Sequence, residues 1–294
     1  MEPATQLADR KSYSFGTSDD ASSFLRDVGK AARLPHDVEA SASAMVTGAV
    51  LAERISRARF QHLLAELPLS VRNIFAEPRN EPSEGVEAFE RDEFVRRVAE
   101  RLDVDLALSR SIVPGVFRAL RAWLSAEQVA DVASRLPRML EREWLSYAPN
   151  EVLPSGRTPT RPSVHLLIRK IEAEGPLPEG LSAVRALDAV LRTMALYLAD
   201  EPLTALSAAL PDGVRLMPAE PEAWPASTGS FVGRLGAALH IGEDAARQVV
   251  DRVFLAAGLV LPVAFVETVS AELPADARAI WIRAFSPSLL EVRA

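Results

Sequence analysis

Apolar residues recur along this chain at helical spacing, and they recur around a landmark. A Leu-Pro pair stands at Leu67-Pro68, Leu136-Pro137, Leu210-Pro211 and Leu273-Pro274. With each leucine taken as zero, four residues back stand Leu63, Val132, Leu206 and Val269, and seven back stand Phe60, Val129, Leu203 and Val266. Twelve back stand Ile55, Leu124, Leu198 and Leu261, and sixteen back stand Leu51, Leu120, Met194 and Ala257. The zero, four, seven spacing is one face of an α-helix. Further back stand Phe24, Phe94, Leu167 and Phe231, each followed four residues later by Val28, Val98, Ile171 or Leu235. After the proline come Val71, Leu140, Val214 and Ala277, then Arg72, Glu141, Arg215 and Arg278. An aromatic closes three of the units, at Phe75, Trp144 and Trp281.

Each unit reads as four helices. In the second, the pattern predicts helices over about 92–102, 105–123 and 126–136, and a short one from Pro137 to near Trp144. Local chemistry sets the breaks. Ser125 followed by Gln128 is a capping-box pattern. Asp200 and Pro202 supply a cap and an early-turn proline. Gly242, Glu243 and Asp244 suit a helix start, where acidic side chains meet the positive end of the dipole. The repeated proline fits a first helical turn, where its missing N–H is harmless, and it turns the leucine before it into a corner. Pro114-Gly115 predicts a kink or break inside the second helix of unit two. No useful stretch alternates like a strand. The fold class is all-α: a helical pseudo-repeat array of four units, arranged as two domains.

Proline-rich gaps divide the chain. Residues 148–162, within a stretch carrying Pro149, Pro154, Pro159 and Pro162, form the main linker. Residues 20–147 and 163–286 are then two domains of ordinary size. Residues 1–19 read as a disordered N-terminus and 287–294 as a C-terminal tail. Lesser gaps lie at 77–91 and 218–230, the latter holding Trp224 in a Glu-Ala-Trp-Pro context. That tryptophan lies outside the pattern and reads as a plug between the two halves, or less readily as a docking residue.

Unit two carries Phe94-Val95-Arg96-Arg97-Val98, then Val116-Phe117-Arg118-Ala119-Leu120, then Leu136-Pro137 and Trp144. It resembles the bacterial DUF2267 family, whose domains show an early Phe-x-x-x-Val, a middle apolar segment and a late Leu-Pro ahead of a tryptophan. Phe231, Leu239, Leu273-Pro274 and Trp281 carry the same likeness in unit four, and Phe24, Val28 and Leu67-Pro68 in unit one. One family domain spans two units, so the resemblance implies two tandem copies. The shared residues are packing residues. They imply a fold and transfer no chemistry.

Composition narrows the function without naming it. The chain is 48% hydrophobic and 25% charged, a globular balance. It has no cysteine, which excludes disulfides and thiolate chemistry. A net charge of −7 argues against a dedicated nucleic-acid binder. The N-terminal residues lack the apolar core of a secretory signal, so a cytoplasmic location is expected. The longest apolar run, Val253 to Val266, is too short to span a bilayer and contains Gly258 and Pro262.

His36, His62, His165 and His240 show no metal-ligand spacing. Phosphate-binding glycine loops and nucleophile elbows are absent. Glu141 and Glu143, two apart on a helix, do not face each other. The sequence therefore designates no catalytic, cofactor-binding or metal-binding residue and no cofactor. Arg118, Arg121, Arg135, Arg138 and Arg142 read as a solvated helix face, or less readily as a basic face for nucleic acid.

The expected function is a non-enzymatic protein-interaction or assembly module with a protein partner or self-association. A small-ligand-binding or sensory domain is the alternative. Nucleic-acid binding through unit two ranks lower, and no membrane partner is expected. Arg138→Ala, as a surface change, is expected to alter stability little. Leu136→Ala, as a core truncation, is predicted to cost roughly 2–5 kcal/mol. Thermal melts check it, and a neutral result would displace the helical register given above.

Overall fold

Helices form where the apolar spacing puts them. In the computed structural model, residues 18–75, 87–146, 151–211, 214, 216 and 230–285 are described. Among them stand 15 α-helices, one short 3-10 helix and no strand. The first half holds α1 (Ser18–Ala32), α2 (Ala40–Ile55), α3 (Arg57–Ala65), α4 (Leu69–Arg72), the 3-10 turn Asn73–Phe75, α5 (Arg91–Leu102), α6 (Leu106–Arg121), α7 (Ala126–Ala133) and α8 (Arg138–Leu145). The second holds α9 (Val164–Ala173), α10 (Ala183–Ala195), α11 (Asp200–Ala209), α12 (Phe231–Leu239), α13 (Glu243–Val260), α14 (Phe265–Glu272) and α15 (Ala275–Phe285). None of these helices is long and apolar enough to cross a membrane. The expectations for residues 1–17, for Trp224 and for the tail at 287–294 fall outside the described residues.

The apolar positions aligned above are buried, except Leu203, Val214 and Val266, which are half-buried. The helices of each half interlock. In the first, α1 packs on α6 and α2 on α5; in the second, α9 packs on α13 and α10 on α12. An aromatic ladder crosses each half. Phe94, Phe117 and Trp144 stack edge to face, with centroids 5.7 and 5.1 Å apart. Phe231, Phe254 and Trp281 form the counterpart at 5.9 and 5.0 Å, the first pair tilted and the second edge to face. Gly48 stands at the place before Leu67 that Phe117 holds before Leu136. A Cβ there would lie 2.6 Å from the Phe75 ring and 2.9 Å from the Phe60 ring, so those two rings fill the space of the missing side chain.

Several expected breaks differ in detail. Pro68 and Pro137 cap α4 and α8, one residue before the expected first turn. Their carbonyls accept from Arg72 and Glu141 backbone N–H groups at 2.9 and 2.8 Å. Ser125 caps α7 by accepting from the Gln128 N–H at 3.2 Å. The Ser125 N–H donates to Glu66 at the end of α3, at 3.1 Å. Asp200 is the first residue of α11, and the cap is Ala199, whose N–H donates to Glu272 at 2.6 Å. Helix α6 runs unbroken through Pro114. The proline removes one donor. The adjoining glycine lets α1 close in: a Cβ on Gly115 would lie 2.4 Å from Ala32 backbone atoms.

The two halves meet at α8. Arg138 donates to Glu174 at 2.7 Å and to the Leu255 carbonyl at 2.9 Å. Arg142 donates to the Phe285 carbonyl at 2.6 Å and lies over the Phe285 ring. Glu141, 4% exposed, forms an ion pair with Lys170. Arg138 is thus a cross-tie between halves, and its loss removes two bonds that no surface position would make. Burial pushes the Glu141 carboxyl above its ordinary value, against the pull of Lys170 and Arg138. Burial also pushes the Arg142 guanidinium down, helped by Arg138.

Two predictions follow from these contacts. Gly115→Ala should destabilise by roughly 1–3 kcal/mol, because α1 must withdraw; chemical denaturation measures it, and an unchanged midpoint would contradict the close approach. A carboxyl raised in the fold binds its proton longer there than in the unfolded chain, so its contribution to stability falls as pH rises past its ordinary value of 4.5. Glu141→Gln should therefore gain stability relative to wild type between about pH 4 and about pH 7. Paired melts at the two values check the sign.

Candidate functional site

Lys30 and Arg33 stand where α1 ends. The helix closes with the Arg33 N–H on the Lys30 carbonyl at 3.2 Å and the Leu34 N–H on the Gly29 carbonyl at 3.0 Å. Such a closure wants a left-handed residue, usually glycine. Here Arg33 takes it, with φ 54°. Pro35 follows and prevents the helix from resuming. The result turns two cationic side chains outward at one corner. Neither side chain has an ion pair or hydrogen bond among the described residues.

Arg118 of α6 comes up beside this corner. It donates to the Ala31 carbonyl at 3.1 Å and to the Pro114 carbonyl at 3.2 Å. Its Nη1 reaches Glu151 Oε1 at 3.4 Å, a long contact. The other Glu151 oxygen is buried and has no hydrogen-bond partner.

The facing wall belongs to the segment read above as the main linker. Residues 151–162 lie against the first half. Ser155 donates through its N–H and hydroxyl to Asp27, at 2.9 and 2.6 Å, and Asp27 is fully buried. The Thr160 hydroxyl donates to the Leu124 carbonyl at 2.8 Å. The Arg157 guanidinium lies 3.7 Å over the Trp123 ring. A tight turn at Gly156, φ 81°, returns the chain so that the Leu153 N–H meets the Arg157 carbonyl at 2.8 Å.

These elements form a half-open cleft of about 740 Å³, lined by the last turn of α1, by Arg33 and Leu34 just beyond it, by Arg118 and by residues 151–153. A Cβ built on Gly29 would touch nothing, so that side of the helix faces open space. Leu153 is buried in the wall, while Val152 is 63% exposed at the rim. The cleft is therefore lined by Lys30 and Arg33, by the Arg118–Glu151 pair and by an aliphatic surface.

The residues singled out in the sequence lie elsewhere, Arg118 excepted. His36, His62, His165 and His240 are all exposed, and His240 ends α12 in a left-handed conformation. Among the described residues no group of three or more His, Asp or Glu side chains could hold a metal ion. The five arginines do not share a solvated face. Arg121 is fully buried and donates to the Leu145 and Ser146 carbonyls. Arg135 pairs with Asp131 at 2.9 Å, and Arg138 and Arg142 tie the halves together. Glu141 and Glu143 part company, the first toward Lys170, the second toward Arg91 at 2.7 Å.

Sequence reasoning missed Lys30, Arg33 and Glu151. Two cations just before Leu34-Pro35 were the available signal for the helix-end corner. Glu151, inside a proline-rich stretch, had none.

Comparison with known proteins gives the fold's kinship. A search of curated proteins finds no match, and a search of solved structures finds none. A family model described as "Uncharacterized conserved protein (DUF2267)" matches residues 21–142 and again residues 165–280. The two matches fall on the two interlocked halves and together cover most of the chain, which belongs to the DUF2267 family as two tandem copies.

Proposed function

We propose that this chain is a non-enzymatic binding module of helical units, working in the cytoplasm, and that the α1–α6 cleft receives a small ligand. The observation that carries this reading is the make-up of the cleft. Its volume, about 740 Å³, lies within the size of small-molecule sites. Its charged lining is confined to Lys30, Arg33, Arg118 and Glu151, and it contains neither imidazole nor hydroxyl. The walls are held by buried bonds, through Asp27 on one side and the α1–α6 contact on the other, so the site is preformed.

A protein-interaction role is the second reading. Large apolar side chains stand exposed on both halves: Leu69 58%, Leu106 47%, Val152 63%, Val184 58%, Val263 64% and Ile282 42%. Val152 belongs to the cleft rim, so a partner's chain could seat there too.

Native mass spectrometry of the tagged protein, purified gently from its own lysate with and without nuclease, separates the readings. The expected result is a small-molecule adduct that Arg33→Gly removes, a variant that suits the left-handed backbone at that position. A stoichiometric protein partner that survives nuclease, with no adduct, would replace the first reading by the second.

A further inference from the structure

We infer that α14 is a hinged helix with two arrangements: the displaced one of this structure, and a docked one in which the Trp281 indole N–H meets the Val266 carbonyl. The first half supplies the template. Pro262, Val266 and Trp281 stand about Leu273-Pro274 where Ser125, Val129 and Trp144 stand about Leu136-Pro137. There the Trp144 N–H donates to the Val129 carbonyl at 2.9 Å, and Val129 is buried. In the second half the Trp281 N–H is buried without a partner among the described residues, and Val266 is half-buried. Helix α14 buries one side chain, Val269, where α7 buries Gln128, Val129, Ala130, Val132 and Ala133.

The displacement has a local cause. Ser125 caps α7, whereas α14 starts without a side-chain cap. Arg121, the last residue of α6, corresponds to Gly258, but α13 runs on to Val260; Ala126, the first of α7, corresponds to Val263, but α14 starts at Phe265. The far end of α14 is anchored, for Glu272 accepts from the Ala199 N–H at 2.6 Å and Leu273 is buried. The near end is not, and Val263 is exposed. The helix therefore pivots about its last turn. Beside Trp281 there is room to close. Ala257 stands where the other units have Leu51, Leu120 and Met194, and a void of about 10 Å³ is lined by Ala257, Leu261, Trp281 and apolar side chains of α10 and α11. The missing cap favours the displaced arrangement, while the void and the orphan N–H favour the docked one. Docking withdraws Phe265 and Val266 from the surface, as Gln128 and Val129 are withdrawn, so the swing offers or hides an apolar strip.

Nitrogen relaxation dispersion of the indole groups in the full chain tests the hinge, with Trp144→Phe and Trp281→Phe assigning the two signals. Exchange broadening is expected at Trp281 and not at Trp144. The backbone amides of α14 should exchange with solvent deuterium at least tenfold faster than those of α7. Pro262→Ser gives α14 the cap that α7 has. It should slow that exchange several-fold and sharpen the Trp281 signal at its hydrogen-bonded position. A sharp Trp281 signal in the wild type, with α14 as protected as α7, would overturn the inference. So would fast α14 exchange that Pro262→Ser leaves unchanged, in a variant that melts as cooperatively as the wild type, because the helix would then fray without docking.

Discussion

Each half of the protein is organised by a ladder of inclined aromatic rings at its centre. In the first half, α5, α6 and α8 contribute Phe94, Phe117 and Trp144; in the second, α12, α13 and α15 contribute Phe231, Phe254 and Trp281. Each such contact is worth about 0.5–1.5 kcal/mol beyond burial, and it also sets orientation. Three helices locked by one ladder leave little freedom for the others. After the corners at Leu136-Pro137 and Leu273-Pro274, α8 and α15 bring Trp144 and Trp281 against these rings. The ladders are not identical in their polar finish. Trp144 donates its indole N–H to the Val129 carbonyl at 2.9 Å, whereas the Trp281 N–H is buried without a partner. Val129 is buried on α7, while Val266, its counterpart on α14, is half-buried.

Charge is used inside this molecule mainly as a fastener. Arg118, Arg121 and Arg142 reach carbonyls at helix ends, which hydrogen bonding within the helix leaves unsatisfied. A planar guanidinium with several donors suits that task better than an ammonium. Acidic side chains do the complementary work at helix starts, Glu66 on α7 and Glu272 on α11. Against that background the cleft at the end of α1 stands apart. Its two outer cations fasten nothing, and its carboxylate is only half engaged. The same contacts that make the scaffold rigid also hold the cleft walls: α1 is pinned by Gly115, and the connecting segment by Asp27.

Much of the fold was legible along the chain, for reasons that act over a few residues. The caps at Ser125 and Gly242, the prolines before α4 and α8 and the burial of the aligned apolar positions follow from helix periodicity and from unsatisfied groups at helix ends. Where those readings slipped, tertiary contact outweighed local preference. Of the kink or break expected at Pro114-Gly115, the break does not occur: α6 continues through the proline, and the glycine admits Ala32. The second arm of the Ser125 cap is Glu66 from another helix, which no local motif announces.

By itself, then, the sequence determined which residues form helices, which side chains go inside and to which family the chain belongs. The tertiary structure alone decided what the charges do. Arg118 meets a carbonyl 87 residues away, Arg138 one 117 residues away, and Ser155 an aspartate 128 residues away. Helical periodicity is a property of neighbours three and four apart, so it can be read in order. Pairing across such separations depends on how finished helices pack, and the cleft exists only once they have.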